Sequence, residues 1–399
     1  MNSSSKRKRL RRVAVITGTR AEYGLLRSTM TAIKRHRDLQ LQMVVTGMHL
    51  LRKFGHTVEE IEQEGWAIDA RVKMQNGTDD PVDQSAGLAR GIVGIAKFLE
   101  EAKTDIVVVL GDRIEAMAGA LAAVTTGRIV AHIHGGDIAP GDFDDSLRHA
   151  ITKLAHLHLT ATPAARRRVI RMGESPDRVH FVGAPGHDRL IQLLGRPNTV
   201  ASGTRRALIV QHPCGRSPTR ERRTMSAILR AVERAGFERF IIYPNSDRGH
   251  TGIIQAIDTH RRGVRNGAVR LFRSLDRDSF LRLLIEADLI VGNSSSGIIE
   301  APPAGTPSVN VGSRQQGRQR GGPCVVDADE SLESIGAAID SSQGKRPITG
   351  RQGVYGDGTA GRRIAELLAS VTLNDAFRRK LPKLAKGMTQ GRPNLRPTP

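Results

Sequence analysis

Short runs of β-branched and aliphatic residues alternate with longer segments of helical period along almost the whole chain. The runs predict strands at Val13–Thr17, Leu41–Thr46, Asp105–Leu110, Ile129–Ile133, Leu157–Thr160, Val179–Val182, Ala207–Gln211, Arg239–Tyr243, Ala268–Phe272, Asp288–Val291 and Ser308–Val311. Helical patterns include Arg113–Thr126, Asp145–Ala155, Arg220–Ala235, Ser279–Glu286 and Gly361–Ser370. Strands that are apolar nearly throughout and alternate with helices predict an α/β fold, in which parallel sheets are covered by helices on both faces.

The number of strands argues against a single sheet. Open twisted sheets rarely exceed about ten strands, and 399 residues suit two domains of roughly 100–200 residues each. We therefore predict two Rossmann-like, doubly wound domains, residues 13–185 and 186–370, joined near 183–186. A basic flexible tail, residues 1–12, precedes them, and a basic extension, residues 371–399, follows them.

The net charge of +21 is concentrated at the two ends of the chain. Residues 1–12 hold six Lys or Arg and no acid, and residues 376–399 hold seven and no acid. Such ends are typical of solvated tails that make non-specific contacts with polyanions. The sequence has no zinc finger, basic zipper or aromatic-basic RNA-binding pattern, so we predict no specific nucleic-acid partner.

Membrane and secreted classes are disfavoured as well. No run approaches the 18 or more uncharged apolar residues of a membrane span, and the first apolar stretch, Val13–Ile16, is too short for a signal peptide. Cys214 and Cys324 lie far apart without a CxxC motif, which excludes a disulfide framework and a Cys-based zinc site. We predict a cytoplasmic protein without a membrane partner.

The loops that follow predicted strands carry most of the unusual polar residues. In open α/β sheets, ligands bind beyond the carboxyl ends of the strands, so chemistry is expected in these loops. The most polar of them are Gly18–Tyr23, Gly111–Arg113, His132–Asp137, Gln211–Pro213 and Gly292–Gly297.

Two kinds of residue in these loops suit an anionic ligand. Three serines lie between Gly292 and Gly297, where backbone N–H groups and a helix start can bind phosphate; the alternative is a plain serine helix cap. Arginines that follow strands suit bidentate phosphate recognition, although surface arginines are common in so basic a chain. They are Arg20, Arg113, Arg314 and Arg318. No P-loop or GxGxxG motif is present.

Acid/base candidates occupy the same loops. Asp112 directly follows an apolar strand, and Asp144 and Asp145 open a helical segment in which they are either catalytic or cap the helix with Arg148 as a partner. His132 and His134 are two residues apart, so they face the same side. They form either a metal site together with Asp137 or a pair of hydrogen-bonded histidines at the end of the sheet. Because no third clear ligand follows, we predict neither metal nor cofactor.

Taken together, the motifs resemble those of the hydrolysing UDP-N-acetylglucosamine 2-epimerases of bacterial sialic-acid synthesis and the epimerase half of the animal bifunctional enzyme. The resemblance covers about residues 13–370. It rests on GTRAEYGLL at 18–26, GDR at 111–113, HIHGGD at 132–137, DDSLRHAITK at 144–153 and GNSSSG at 292–297, in that order.

The resemblance implies a GT-B-like fold with the active site in the cleft between two domains. It implies conversion of UDP-N-acetylglucosamine and water to UDP and N-acetylmannosamine, by elimination to a glycal and hydration, without a cofactor. The non-hydrolysing relatives carry a Lys where this chain has Leu25, which favours the hydrolysing branch. We also expect a homo-oligomer, either a dimer or a tetramer.

Site residues follow from the same resemblance. It implies UDP contacts at Arg20, Arg113, His212, Asn245, Ser294, Ser295, Glu300 and Arg314. Within that set, Ser294 and Ser295 would hold the phosphates and Glu300 the ribose. Asp112 and Asp144 would be catalytic carboxylates.

The sequence departs from the family pattern at one catalytic position. Many members have an acid where this chain has His134, and the His form resembles a subset acting on UDP-diacetamido-trideoxy sugars. Either His134 shares the acid/base task or Asp137 supplies the missing carboxylate. Two alternative functions stay open at this point: a hydrolysing UDP-N,N'-diacetylbacillosamine 2-epimerase and a GT-B glycosyltransferase.

Overall fold

The computed structural model describes residues 9–77, 81–138, 144–194, 203–244, 249–264, 268–273, 275–343 and 353–380. The first sheet has seven strands: β1 (Arg11–Thr17), β2 (Leu39–Thr46), β3 (Ala70–Val72), β4 (Ile106–Leu110), β5 (Ile129–Ile133), β6 (Leu157–Thr160) and β7 (Val179–Phe181). Their order is β3-β2-β1-β4-β5-β6-β7, and every pairing is parallel.

Helices connect these strands and cover both faces of the sheet. They are α1 (Arg20–Arg35), α2 (Val58–Gln63), α3 (Pro81–Glu101), α4 (Ile114–Thr125), α5 (Asp144–Leu154), α6 (Pro163–Arg171) and α7 (Pro185–Leu194). Short 3-10 turns lie at Gly47–Leu50, Arg52–Phe54 and Pro176–Arg178.

The second sheet is smaller and also parallel throughout. Its strands are β8 (Arg206–Val210), β9 (Glu238–Ile242), β10 (Val269–Phe272), β11 (Leu289–Gly292), β12 (Ser308–Val311) and β13 (Val325–Ala328), in the order β10-β9-β8-β11-β12-β13. The helices after β8 are α8 (Pro218–Arg234), α9 (His250–Gly263), α10 (Arg277–Glu286), α11 (Ser295–Ile299), α12 (Ala301–Ala304), α13 (Leu332–Ser342), α14 (Ala360–Ser370) and α15 (Asp375–Arg378).

The prediction of two parallel, doubly wound sheets is confirmed, and the predicted strands occur within about two residues of their expected bounds. Two strands were not predicted, β3 and β13. Both are edge strands of three or four residues that include Arg71 and Asp327, so they carry too few apolar residues to stand out.

Alternation within β1 shows why the sheet needs helices on both faces. Val13 and Val15 belong to the cluster that includes α1, whereas Ala14 and Ile16 belong to the cluster that includes α4. Successive side chains of a strand point to opposite faces, so a strand that is apolar at every position must be buried on both sides.

The chain passes between the two sheets twice, and the two passages touch. After β7, Gly183 has a φ of +90°, a value that favours glycine, and the Ala184 N–H donates to the carbonyl of Tyr355 at 2.7 Å. After Tyr355, helix α14 returns to the first sheet, where Ile364 and Leu368 join the core beside α1. The last helix of the predicted 186–370 segment therefore packs with the first half; the domain bounds themselves stay a prediction.

Parts of both predicted tails belong to the described structure. Arg11 and Arg12, which the sequence assigned to the basic tail, belong to β1 because Arg11 pairs with β2 in register. In the C-terminal extension, Val371, Leu373 and Phe377 pack against the first core.

The extension is also anchored by its charge. Lys380 Nζ donates to the carbonyls of Thr152 at 3.0 Å and Lys153 at 2.5 Å, at the end of α5, and pairs with Glu174 at 2.8 Å. A cation at a helix C-terminus is favourable. Through Lys380 the extension is thus packed rather than solvated as expected, and residues 381–399 lie outside the described residues. No helix in the described ranges combines the length and apolarity that crossing a membrane requires.

Truncation should locate the boundary between packed and dispensable residues. A chain that ends at Lys380 should unfold at the same urea concentration as the full chain. In a chain that ends at Ser370, the free energy of unfolding should be lower by about 2–4 kcal/mol, because the contacts of three partly buried apolar side chains are removed. Equal stability of the two truncations would contradict this packing. Phe377→Ala should reproduce part of the loss, and Arg379→Ala, at an exposed position, should not.

Candidate active site

Asn293 organises the loops at the carboxyl ends of β8, β11 and β12. Its buried side chain accepts the His212 N–H at 2.7 Å and donates to the His212 carbonyl at 2.8 Å. Its own carbonyl accepts Arg314 Nη1 at 3.2 Å and Gln315 Nε2 at 3.0 Å. His212 and Arg314, both expected from the sequence, are therefore brought together by a residue that had no predicted role.

Arg314 supplies the positive charge of the group that Asn293 brings together. Burial lowers the pKa of His212 to about 3, and the nearby Arg314 guanidinium adds to the effect. A neutral imidazole beside a guanidinium suits a ligand that carries both hydrogen-bonding groups and negative charge.

The serine-rich loop forms a helix cap. Ser294 is the N-cap of α11, and its side chain accepts the Ser296 N–H at 3.3 Å. Gly292 is required by packing, since a Cβ there would lie 2.2 Å from the Val210 carbonyl oxygen, and its φ is +137°. Helix α11 has five residues, Ser295–Ile299, and Glu300 is its C-cap.

Glu300 forms a buried ion pair with Arg277 of α10. Arg277 donates through Nη1 at 3.3 Å and, in a closer contact, through Nη2, which also donates to the Gly186 carbonyl at 3.2 Å. Burial raises the pKa of Glu300, but the guanidinium outweighs it and holds the pKa below the usual value. Glu300 is ionised, and its carboxylate is held by an arginine that sequence reasoning missed.

The first loop is braced by a buried carboxyl group. Thr19 caps α1 by accepting the Glu22 N–H at 3.3 Å, and Glu22 Oε2 accepts the Gly18 N–H at 2.7 Å. Burial, with a contribution from the charge of Glu115, raises the pKa of Glu22 to about 8. Glu22 is therefore protonated at neutral pH.

The two arginines expected near this loop are each held by a carboxylate. Arg20 Nε lies 2.7 Å from Glu60 Oε2, and Arg113 Nε lies 3.3 Å from Glu115 Oε2. Glu115 is fully buried and also accepts Gln75 Nε2 at 2.9 Å. Arg20 and Arg113 are thus oriented before any ligand arrives.

Asp112 is joined to the start of α5 through one guanidinium. Arg148 contacts Asp112 through Nη2, and its Nε lies 3.2 Å from Asp145 Oδ1. Burial lowers the pKa of Arg148 to about 9, with the charge of Arg318 contributing. The Asp145–Arg148 pair is the helix partnership that the sequence offered as an alternative to a catalytic role. Asp144, the first residue of α5, lies half-buried next to Asp145 in the chain.

His134 and Asp137 face each other in the loop after β5. His134 Nδ1 lies 2.9 Å from Asp137 Oδ2, and both side chains are at least nine-tenths buried. Burial raises the pKa of Asp137, but the His134 hydrogen bond and the charges of Arg318 and Arg168 lower it below the usual value. His134 Nε2 is buried and has no hydrogen-bond partner in the described ranges.

His132 has a different environment from His134. Its Nε2 lies 2.8 Å from the Gly111 carbonyl and its Nδ1 lies 3.3 Å from the Thr152 hydroxyl, and burial lowers its pKa to about 3. It therefore supports the loop that carries Asp112. Within the described residues no group of three or more His, Cys, Asp or Glu has a geometry that could hold a metal ion.

Loops from the two sheets meet at this site. A Cβ on Gly317, after β12, would lie 2.9 Å from Cγ2 of Ile138, after β5. The charge of Arg318 acts on both Asp137 and Arg148. The candidate acid/base groups of the first sheet therefore adjoin the arginine-rich loop of the second. Asn245, expected at the same site, lies outside the described residues.

Comparison with known proteins assigns this arrangement to a family. The family model for UDP-N-acetylglucosamine 2-epimerase matches residues 31–369. The chain belongs to the UDP-N-acetylglucosamine 2-epimerase family. The resemblance noted in the sequence is therefore confirmed.

Individual members of this epimerase family match nearly end to end. The chain is 32% identical to the UDP-N,N'-diacetylbacillosamine 2-epimerase (hydrolyzing) of Legionella pneumophila, over 93% of this chain and 99% of that protein. It is 33% identical to the UDP-N-acetylglucosamine 2-epimerase of Neisseria meningitidis serogroup B, over 84% and 88%.

A solved epimerase has the same fold. The structure of a Neisseria meningitidis UDP-GlcNAc 2-epimerase bound to UDP-GlcNAc covers 90% of this chain and 99% of its own, with a TM-score of 0.73 at 17% identity. The expected GT-B-like fold is confirmed.

The protonation of Glu22 predicts a pH-dependent stability. The pKa of Glu22 is about 8 in the folded chain against 4.5 for a solvated Glu. Between these values Glu22 ionises in the unfolded chain but not in the folded chain, so its contribution to wild-type stability falls as pH rises from about 4.5 to about 8. Glu22→Gln keeps the acceptor for Gly18 but cannot ionise.

Urea unfolding at several pH values measures this difference. The free energy of unfolding of Glu22→Gln minus that of the wild type should increase from pH 4.5 to pH 8 and then level off. Glu101→Gln, at an exposed position of α3, should follow the wild type. A constant difference between Glu22→Gln and wild type across this range would contradict the protonated state.

Proposed function

We propose that this protein is a hydrolysing nucleotide-sugar 2-epimerase that converts UDP-N-acetylglucosamine and water to UDP and free N-acetylmannosamine. The observation that carries the proposal is the match, over most of the chain, to relatives with this named chemistry. The non-hydrolysing relatives have a Lys at the position of Leu25, so the leucine in this chain supports the hydrolytic branch.

The chemistry explains why both charge stabilisation and acid/base groups are needed. The proton at C2 has no carbonyl neighbour and is not acidic. Cleavage of the C1–O bond, with UDP taking the electron pair, develops positive charge at C1 and acidifies that proton. Loss of the proton forms a C1=C2 glycal; water then adds at C1 and a proton returns to the opposite face of C2.

The diphosphate would be bound at the second sheet. We assign the phosphates to Arg314 and to the backbone and hydroxyls of Ser294 and Ser295, because Ser294 caps the helix that follows β11 and Arg314, which donates to the Asn293 carbonyl, carries the local positive charge. Donors aimed at a departing diphosphate stabilise its negative charge. Arg20 and Arg113 would act from the first sheet.

The remaining UDP contacts are assigned by position. His212 lies beside Arg314 as a neutral donor or acceptor. Glu300 is a fixed, ionised acceptor for the ribose hydroxyls because Arg277 holds it in place. Asn245 keeps its proposed contact from the family resemblance alone.

Asp112 and Asp144 are the proposed carboxyl groups of the reaction. Asp112 is oriented by Arg148, which also pairs with Asp145 and so joins the end of β4 to the start of α5, where Asp144 lies. A positioned acid or base contributes typically 10²–10⁴-fold to a rate. His134 supplies a third acid/base group at the end of β5.

A second substrate has a specific observation in its favour. The Legionella pneumophila relative is named for UDP-N,N'-diacetylbacillosamine. His134 of this chain also resembles the form found in a subset of the family that acts on UDP-diacetamido-trideoxy sugars. NMR analysis of products with both UDP-sugars in parallel decides between them. The glycosyltransferase alternative lacks such support, since the family match is to an epimerase. The homo-oligomer and the cytoplasmic location stay predictions.

Solvent deuterium tests the elimination mechanism. In D₂O, N-acetylmannosamine should carry one deuterium at C2, because the original proton is lost at the glycal stage and a solvent-derived one returns. UDP should appear in an amount equal to the free sugar, by NMR. Retention of the C2 hydrogen would end this mechanism, and transfer of the sugar to an acceptor would revive the glycosyltransferase alternative.

Calorimetry with UDP tests the nucleotide site. Arg314→Ala should weaken UDP binding by about 10–150-fold, since a hydrogen bond to a charged group contributes about 1.5–3 kcal/mol. Arg362→Ala is the matched control, because Arg362 is an exposed arginine of α14 that pairs with Glu366 at 2.9 Å, and the change should leave the affinity unchanged. Equal affinity of Arg314→Ala and wild type would remove Arg314 from the site.

A further inference from the structure

The pair formed by His134 and Asp137 has a geometry that separates the roles of its two members. Nδ1 of His134 is occupied by Asp137 Oδ2 at 2.9 Å. Nε2 is buried and has no hydrogen-bond partner in the described part of the chain. A buried polar atom without a partner is unusual and costs free energy, so it points to a partner that arrives with a ligand.

The backbone of His134 supports the same interpretation. Its φ is +64°, in the left-handed region that residues with a side chain rarely adopt. Such strain persists only where the surroundings enforce it, and it is concentrated at functional sites. Here it turns the imidazole out of the line of β5 and towards Asp137, three residues further along the loop.

Asp137 is placed behind the imidazole. Its side chain is 5% exposed, and its hydrogen bond within the described residues is the one to His134. The charged groups that act on it are Arg168 of α6 and Arg318 after β12, both cationic, which favour the carboxylate. An ionised carboxylate accepts hydrogen bonds and cannot donate them, so it fixes the proton on Nδ1 and leaves the lone pair on Nε2.

We propose that His134 and Asp137 form a proton-transfer dyad, in which Nε2 of His134 removes the C2 proton of the sugar and Asp137 is a positioning residue that does not touch the substrate. The inference rests on the proposed function and deepens it. It chooses between the two possibilities that the sequence leaves open for the missing family acid.

The step balances as follows. The C2–H bond breaks and its proton goes to Nε2, its electron pair forms the C1=C2 double bond, and the C1–O pair leaves with UDP. Asp137 stabilises the resulting imidazolium through Nδ1–H. The proton that returns to the other face of C2 comes from a carboxyl group across the ring, Asp112 or Asp144, and water adds its oxygen at C1 and gives up a proton. His134 Nε2 then releases the proton it took to solvent, and the carboxylate regains one from solvent.

Other titratable groups around the dyad leave this assignment intact. His132 on β5 and His187 on α7 are near His134, and burial lowers the pKa of each below the usual value, so both are neutral. Burial, with the Asp137 charge contributing, raises the pKa of Tyr355, so its hydroxyl keeps its proton. Among these side chains Asp137 is the anion beside His134.

A double-mutant cycle tests the dyad in the full chain. Asp137→Asn should lower kcat by roughly 10²–10⁴-fold with little change in KM, because an amide can turn its N–H towards Nδ1 and reverse the tautomer. His134→Gln should cost at least as much. The double variant should be no worse than His134→Gln alone, since members of one unit are not additive. Multiplied losses in the double variant would instead mean that Asp137 acts on the substrate itself.

Nitrogen-15 NMR of the imidazole supplies a readout on the wild type that needs no substrate, with His134→Gln serving to assign the signals. In the wild type, the signals that vanish in His134→Gln should show a protonated Nδ1 and an unprotonated Nε2 at neutral pH. The opposite tautomer would overturn the dyad. A wild type that turns over neither UDP-sugar while showing the expected tautomer would count against the proposed function alone, which keeps the two failures distinct.

Discussion

Parallel strand direction is the constraint on which the site depends. Because every pairing in both sheets is parallel, the carboxyl ends of all strands in a sheet lie at one edge. The loops after β1, β4 and β5 therefore cluster on the first sheet, and those after β8, β11 and β12 on the second. Contact between Ile138 and Gly317 shows that the two clusters meet. Proposed functional side chains separated by hundreds of positions are thereby brought to one cleft.

Within that cleft, ion pairs fix the positions of the charged side chains. Arg113 is fixed by Glu115, Asp112 by Arg148 and Glu300 by Arg277, and each pair has at least one nearly buried member. Removing one partner of a buried pair leaves an uncompensated charge and costs about 3–5 kcal/mol. These pairs therefore orient the groups that meet the ligand and resist their rearrangement, so the charge distribution is set before the substrate binds.

The sequence predicted what depends on local pattern and missed what depends on distant pairing. Apolar runs located the long strands, and the order of polar loops located the site; β3 and β13 were too short and too polar to be found. The roles of Arg277 and Asn293 could not be predicted, because their partners lie 23 and 81 positions away. The Asp145–Arg148 pair was visible as a helical spacing, and His134 and Asp137 as residues of one loop, but the hydrogen bond between His134 and Asp137 and the orphaned Nε2 required coordinates.

The touching passages between the two sheets limit how the cleft changes width. Gly183 and Ala184 lie against Tyr355 and Gly356. The hydrogen bond from the Ala184 N–H to the Tyr355 carbonyl joins the two connecting segments at one point. Two connections that coincide act as a pivot, whereas two separated connections would act as a clamp. A rotation of one sheet against the other that keeps this hydrogen bond has its axis near Tyr355. In such a rotation the loops furthest from Tyr355 travel the greatest distance.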